Sequence, residues 1–161
     1  MKKEELIEFA RSYTKKKFEL IKFNWNGKHG DEFNDSNYDF RMQLCEIIKD
    51  DFSLYSDEMI LDLYSELSKS AKETFGVYNS FHLFANEILE RGGVKYFDHY
   101  VEGASKSMDT GLSSGRLNLT KTRIDEILRH IKYKIEHNSN ENEIRGYDYM
   151  LKRFEWLSTR D

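Results

Sequence analysis

The sequence predicts an all-α protein, a compact single-domain bundle of about seven helices over residues 1–161. Three observations predict it: proline is absent, apolar residues recur at a spacing of three and four, and no convincing alternating strand occurs. At the usual ~5% usage a chain of this length would carry about eight prolines. Proline breaks helix interiors, so its absence suits long helices whose corners are made by Gly, Asn, Asp and Ser. A coding bias toward Lys, Asn, Ile, Tyr, Phe and Glu explains the absence equally well, so the periodicity has to carry the assignment.

Residues 3–22 read as the first helix, with Leu6, Phe9, Ala10, Tyr13, Leu20 and Ile21 inward. Residues 24–37 form the longest loop. A shorter helix over 38–52 buries Phe40, Leu44, Ile47 and Ile48. Residues 56–75 carry Ile60, Leu63, Tyr64, Leu67, Ala71 and Phe75 along one face, with Ser56 or Asp57 placed to cap the start. The helix over 80–91 buries Phe81, Phe84, Ala85, Ile88 and Leu89, and Gly92-Gly93 stops it. A short helix follows over 94–106, then a less regular Gly/Ser stretch over 107–119. Residues 122–137 repeat the pattern through Ile124, Ile127, Leu128, Ile131 and Ile135, with Thr122 and Asp125 as a variant capping box. The corner at 138–140 leads to the last helix, 141–158, which packs antiparallel to its predecessor.

Composition excludes several classes. The chain is 39% apolar and 14% aromatic, too rich for a disordered segment. It lacks a run of ~18 apolar residues, so no membrane span is expected. The start, Met1-Lys2-Lys3-Glu4-Glu5, turns acidic at once and does not read as a signal peptide. A lone cysteine, Cys45, points to a reducing cytoplasm. It lies beside Glu46 and near Asp50, which disfavour a thiolate, so it reads as a small core residue.

Chemistry-bearing constellations are thin. The five histidines form no HExxH or HxH motif. Asp98, His99 and Glu102, possible metal ligands with Asp109, would lie close together on one short helix and leave a site incomplete. Residues 111–115 lack the lysine of a phosphate loop, and residues 31–37 lack the spacing of a calcium loop. No catalytic residue, metal ligand or cofactor is therefore assigned. A metal-dependent hydrolase or nuclease built on the Asp98 cluster is the enzymatic alternative.

Charge is the informative feature. The net value of −4 hides a +4 balance in residues 1–30, −9 in residues 31–66 and +1 in the remainder. Glu58, Asp62 and Glu66 fall at i, i+4 and i+8, one stripe that costs a helix a few tenths of a kcal/mol per pair. Asp50 and Asp51 precede the stripe, with Tyr38, Tyr55 and Tyr64 among the carboxylates. This block reads either as a solvated face or as a surface for a basic macromolecule. The candidate partner-binding residues are Asp50, Asp51, Tyr55, Asp57, Glu58, Asp62 and Glu66. The basic run Lys15-Lys16-Lys17 is too short to make the chain a direct nucleic-acid binder.

In these features the chain resembles bacterial immunity proteins, small acidic cysteine-poor proteins that neutralise a cognate toxin, including those of contact-dependent growth inhibition systems. The resemblance is one of general character and carries no diagnostic motif. Residues 87–97 (Glu-Ile-Leu-Glu-Arg-Gly-Gly-Val-Lys-Tyr-Phe), followed by Glu102-Gly103-Ala104, have the look of a family-specific helix–Gly-Gly–helix junction. It implies a binder without turnover, acting on a toxin domain such as a nuclease that presents a basic surface. A phage or mobile-element regulator that binds a host protein is the other non-enzymatic reading. Oligomeric state is left open.

Overall fold

In the computed structural model, which describes residues 2–160, eight α-helices and one six-residue 3-10 helix make nine helices in place of about seven, alongside two three-residue 3-10 turns. α1 (Lys3–Arg11) packs on α2 (Tyr38–Ile48). α3 (Asp57–Thr74) lies against α4 (Phe81–Gly92), α5 (Val94–Ala104) and α6 (Met108–Ser114). α7 (Lys121–His137) and α8 (Glu141–Ser158) form the expected hairpin, and α7 rests on α5. Among the described residues the only extended pairing is an isolated antiparallel bridge between Trp25 and Asp35. No helix among them is long and apolar enough to cross a membrane.

α3 is the axis of the core. Ile60, Leu63, Tyr64, Leu67 and Ala71 are all buried, as the spacing predicts. Ser56 caps the helix by accepting the Met59 amide at 3.3 Å, and Asp57 and Glu58 occupy the first turn where the helix dipole favours them. Tyr64 stacks on Phe81 with ring centroids 4.7 Å apart, and its hydroxyl donates to the Tyr100 carbonyl at 2.9 Å. The stack requires Gly103: a Cβ there would lie 2.2 Å from the Tyr64 ring. At the junction of α4 and α5, Gly93 takes φ +51° and ends one helix as it begins the next.

Four boundaries differ from expectation. The first helix stops at Arg11 instead of continuing to residue 22. Thr14 is extended, a 3-10 helix follows over Lys15–Leu20, and Leu20 is exposed. The break lets Tyr13 and Lys15 reach α3, a tertiary gain that outweighs continued helical periodicity. α2 ends at Ile48, four residues early, and a 3-10 turn over Phe52–Leu54 leads into α3. The stretch read as irregular contains α6, because Ser107 and Thr110 cap its start reciprocally. α7 begins at Lys121 behind Thr120, so Thr122 and Asp125 lie inside the helix and make no cap. One core residue is also misplaced: Phe75 is 83% exposed, in a left-handed conformation at the C-cap of α3.

Candidate functional site: an acidic corner

The acidic block does not form one surface. Asp62 and Glu66, the second and third members of the stripe, are buried. Asp62 accepts the Tyr13 hydroxyl at 2.7 Å and is ion-paired with Lys15. Glu66 accepts the Phe23 amide at 2.6 Å and Lys69 at 2.6 Å. Burial, and then the bond to Asp62, push the Tyr13 hydroxyl well above the ordinary tyrosine range, so it stays a donor. Tyr55 is also buried, and Tyr64 is fully enclosed. Tyr55, Asp62 and Glu66 therefore leave the set of partner-facing residues. The carboxylates of Asp62 and Glu66 are spent on bonds within the molecule, which is how two of the three stripe members are tolerated in the interior.

Two of the three lysines in the basic run are likewise occupied within the chain, Lys15 by Asp62 and Lys17 by the Ser12 hydroxyl at 2.7 Å. The same economy governs the 24–37 loop. Asp35 and Arg41 form an ion pair with both side chains at 0% exposure, and Asp35 also accepts the amides of Asn24 and Asn37.

The rest of the candidate set stays together at the corner between α2 and α3. Asp50 and Asp51 are exposed, Leu54 between them and α3 is 46% exposed, and Asp57 and Glu58 are half-buried. Asp51 caps its own turn by accepting the Ser53 amide at 3.0 Å and the Ser53 hydroxyl at 2.6 Å. Arg91, reaching across from α4, fixes the corner from behind. It donates to the carbonyls of Phe52 and Tyr55 and to Asp57 at 2.9 Å, while Glu87 one turn earlier holds its Nε. Tyr96 from α5 donates to the other Asp57 oxygen at 2.7 Å. The Tyr96 hydroxyl, and then Arg91, hold the Asp57 carboxyl below the ordinary carboxylate range. Among the described residues Glu58 makes no ion pair. An open groove of about 690 Å³ runs beside it between the start of α3, α5 and Lys15.

Arg91, Tyr96 and Leu54 are the site residues that sequence reasoning missed. Glu87 four residues before Arg91 signals only a local pair; the reach to residues 52–57 is set by how α4 packs on α3.

The possible metal ligands are engaged separately. His99 Nε2 lies 2.9 Å from the Ser65 hydroxyl and 3.0 Å from the Leu61 carbonyl, Glu102 pairs with Lys106 at 3.0 Å, and Asp98 meets the Tyr147 hydroxyl at 3.4 Å. Among the described residues no three His, Cys, Asp or Glu side chains come together as a ligand set. Cys45 is fully buried, and burial raises its thiol above the ordinary range, as befits a packing residue.

Compared with known proteins, the chain matches no family model, no curated protein and no solved structure.

Proposed function

We propose that the protein is a non-catalytic binding module of the immunity type, which neutralises a cognate toxin, a nuclease domain being the partner class, by docking a basic face of it on the acidic corner. The observation that carries this reading is the Arg91 clamp. It fixes the backbone of the turn at Phe52 and Tyr55 and the Asp57 carboxylate, in a corner where Asp50, Asp51 and Leu54 are exposed and Glu58 is half-buried. A rim of one sign steers an oppositely charged partner and sets its register, while a central apolar side chain supplies affinity. Preorganisation reduces the ordering cost that a floppy loop would carry into the complex. On this reading the buried Asp62, Glu66 and Tyr55 shape the site without touching the partner. The proposal places the protein in the cytoplasm, where a free buried thiol such as Cys45 is stable.

The test is titration calorimetry against the product of the neighbouring gene. Asp50→Lys with Glu58→Lys should weaken binding about tenfold or more, mainly through slower association at low salt, and Leu54→Asp should weaken it further. Unchanged affinity in variants that keep the parental circular dichroism spectrum and melting temperature would remove the corner as the docking surface.

A further inference from the structure

At the opposite end of α3 from the acidic corner, the structure holds an aromatic recess that the proposed function does not use. The 24–37 loop is folded back on itself by the Trp25 indole, which donates to the Lys28 carbonyl at 2.6 Å. Asn26 adds a backbone bond to Asn34 and a side-chain bond to the Glu32 carbonyl. This presents His29 and Phe33 to the last turn of α3, with Trp25 buttressing both at ring-centroid distances of 4.9 and 6.4 Å. The resulting cavity of about 300 Å³ is lined by His29, Gly30, Phe33, Glu73, Thr74 and Phe75. That volume lies at the small end of ligand pockets.

Two features of the recess suit a ligand. Phe75 has φ +55°, a conformation that bulky residues avoid and that a glycine would adopt freely at a helix C-terminus, yet its ring is 83% exposed, 6.1 Å from His29. Glu73 is the only carboxylate lining the cavity, with its side chain 23% exposed. Among the described residues its carboxylate receives no hydrogen bond: Lys72 stands 3.8 Å away and His29 Nε2 4.0 Å, while His29 Nδ1 lies 3.3 Å from the Glu73 backbone carbonyl. A carboxylate held only by a long pair to Lys72, beside aromatic rings, is chemistry that suits an organic cation too bulky or too methylated to donate strong hydrogen bonds itself.

We propose that this recess binds an alkylated ammonium group, with Phe75, Phe33 and the His29 ring as its walls and Glu73 as its counter-ion. The group could belong to a free quaternary amine or to a methylated lysine side chain. Both share the cation–π and Coulombic recognition on which the site rests, and neither depends on the acidic corner.

The experiment follows the Trp25 and His29 resonances by NMR while choline, Nα-acetyl-Nε-trimethyllysine amide and the neutral isostere 3,3-dimethylbutan-1-ol are each titrated into the full chain. At least one cation should saturate, with the neutral isostere about tenfold weaker or worse. Tighter binding of choline assigns the free amine, and tighter binding of the lysine derivative assigns a protein side chain. Glu73→Gln should weaken the cation about tenfold and leave the isostere unaffected. Phe75→Gly should abolish cation binding while raising the melting temperature, a readout that separates loss of the wall from loss of the fold. Equal affinity for cation and isostere, or no saturation below about 10 mM by either cation, would overturn the proposal.

Discussion

Asp35 and Asp62 lie inside the molecule, whereas Asp50 and Asp51, from the same acidic run, lie on its surface. The interior carboxylates act as braces. Asp62 ties the segment after α1 to the middle of α3, and Asp35 ties the 24–37 loop to α2 through Arg41. The surface carboxylates brace nothing beyond their own turn; they are held out by a clamp, Arg91, that grips the backbone behind them. A run of like charge is therefore a poor guide to a surface. Each carboxylate has to be asked separately whether the fold has already supplied its partner.

The sharpest way to break this contrast is to remove a brace. Asp35→Ala strands the Arg41 guanidinium in the interior and should cost about 3–5 kcal/mol in urea denaturation, whereas Asp35→Leu combined with Arg41→Met should cost much less, because no buried charge is then left alone. Equal costs for the single and double variants would show that the pair is not a brace.

Asp57 is intermediate, half-exposed yet clamped, and its contribution depends on pH. Its folded value is depressed below the ordinary 3.8, so its stabilisation is fully present above the unfolded value and is lost as pH falls through the folded one. Asp57→Asn should be less stable than the parent at neutral pH by about 1 kcal/mol or less, given solvent screening. The two should converge once the pH falls below the depressed folded value. A difference that persists at acid pH would assign the effect to the amide's geometry instead of the charge.

The smallest effect belongs to the surface member. Asp50→Lys should change stability by no more than about 0.5 kcal/mol, measured by thermal melting, even as it weakens partner binding. A larger loss would mean that the corner is structural after all.

Much of the fold was legible because burying one side of a helix forces apolar residues into a 3–4 repeat, and Ile60, Leu63, Tyr64, Leu67 and Ala71 obey it. The repeat is blind to interruptions made for distant partners. Leu20 and Ile21 fit a continuous first helix, yet the chain leaves that helix after Arg11 so that Tyr13 and Lys15 can meet Asp62, a contact spanning nearly fifty residues of sequence. α6 was hidden for the opposite reason: its Gly and Ser content is poor for helices, and it forms because its start is capped and its Ser113 and Ser114 are buried against neighbours. Phe75 fits the apolar stripe of α3 in phase but falls one residue past its end, where the backbone turns and carries the ring outward.

By itself the sequence determined the all-helical class, the position of most helices, the hairpin of α7 and α8, and the concentration of negative charge in one block. These follow from local periodicity, capping and composition, quantities that neighbours in sequence fix among themselves. Only the tertiary structure decided which carboxylates would be drawn inside and which would remain at the corner, that Arg91 would clamp that corner, and that the loop would meet Phe75 and Glu73. Charge pairing depends on separation in space, and the partners that Asp62, Glu66 and Asp57 find in Lys15, the Phe23 amide and Arg91 come from elements far apart along the chain.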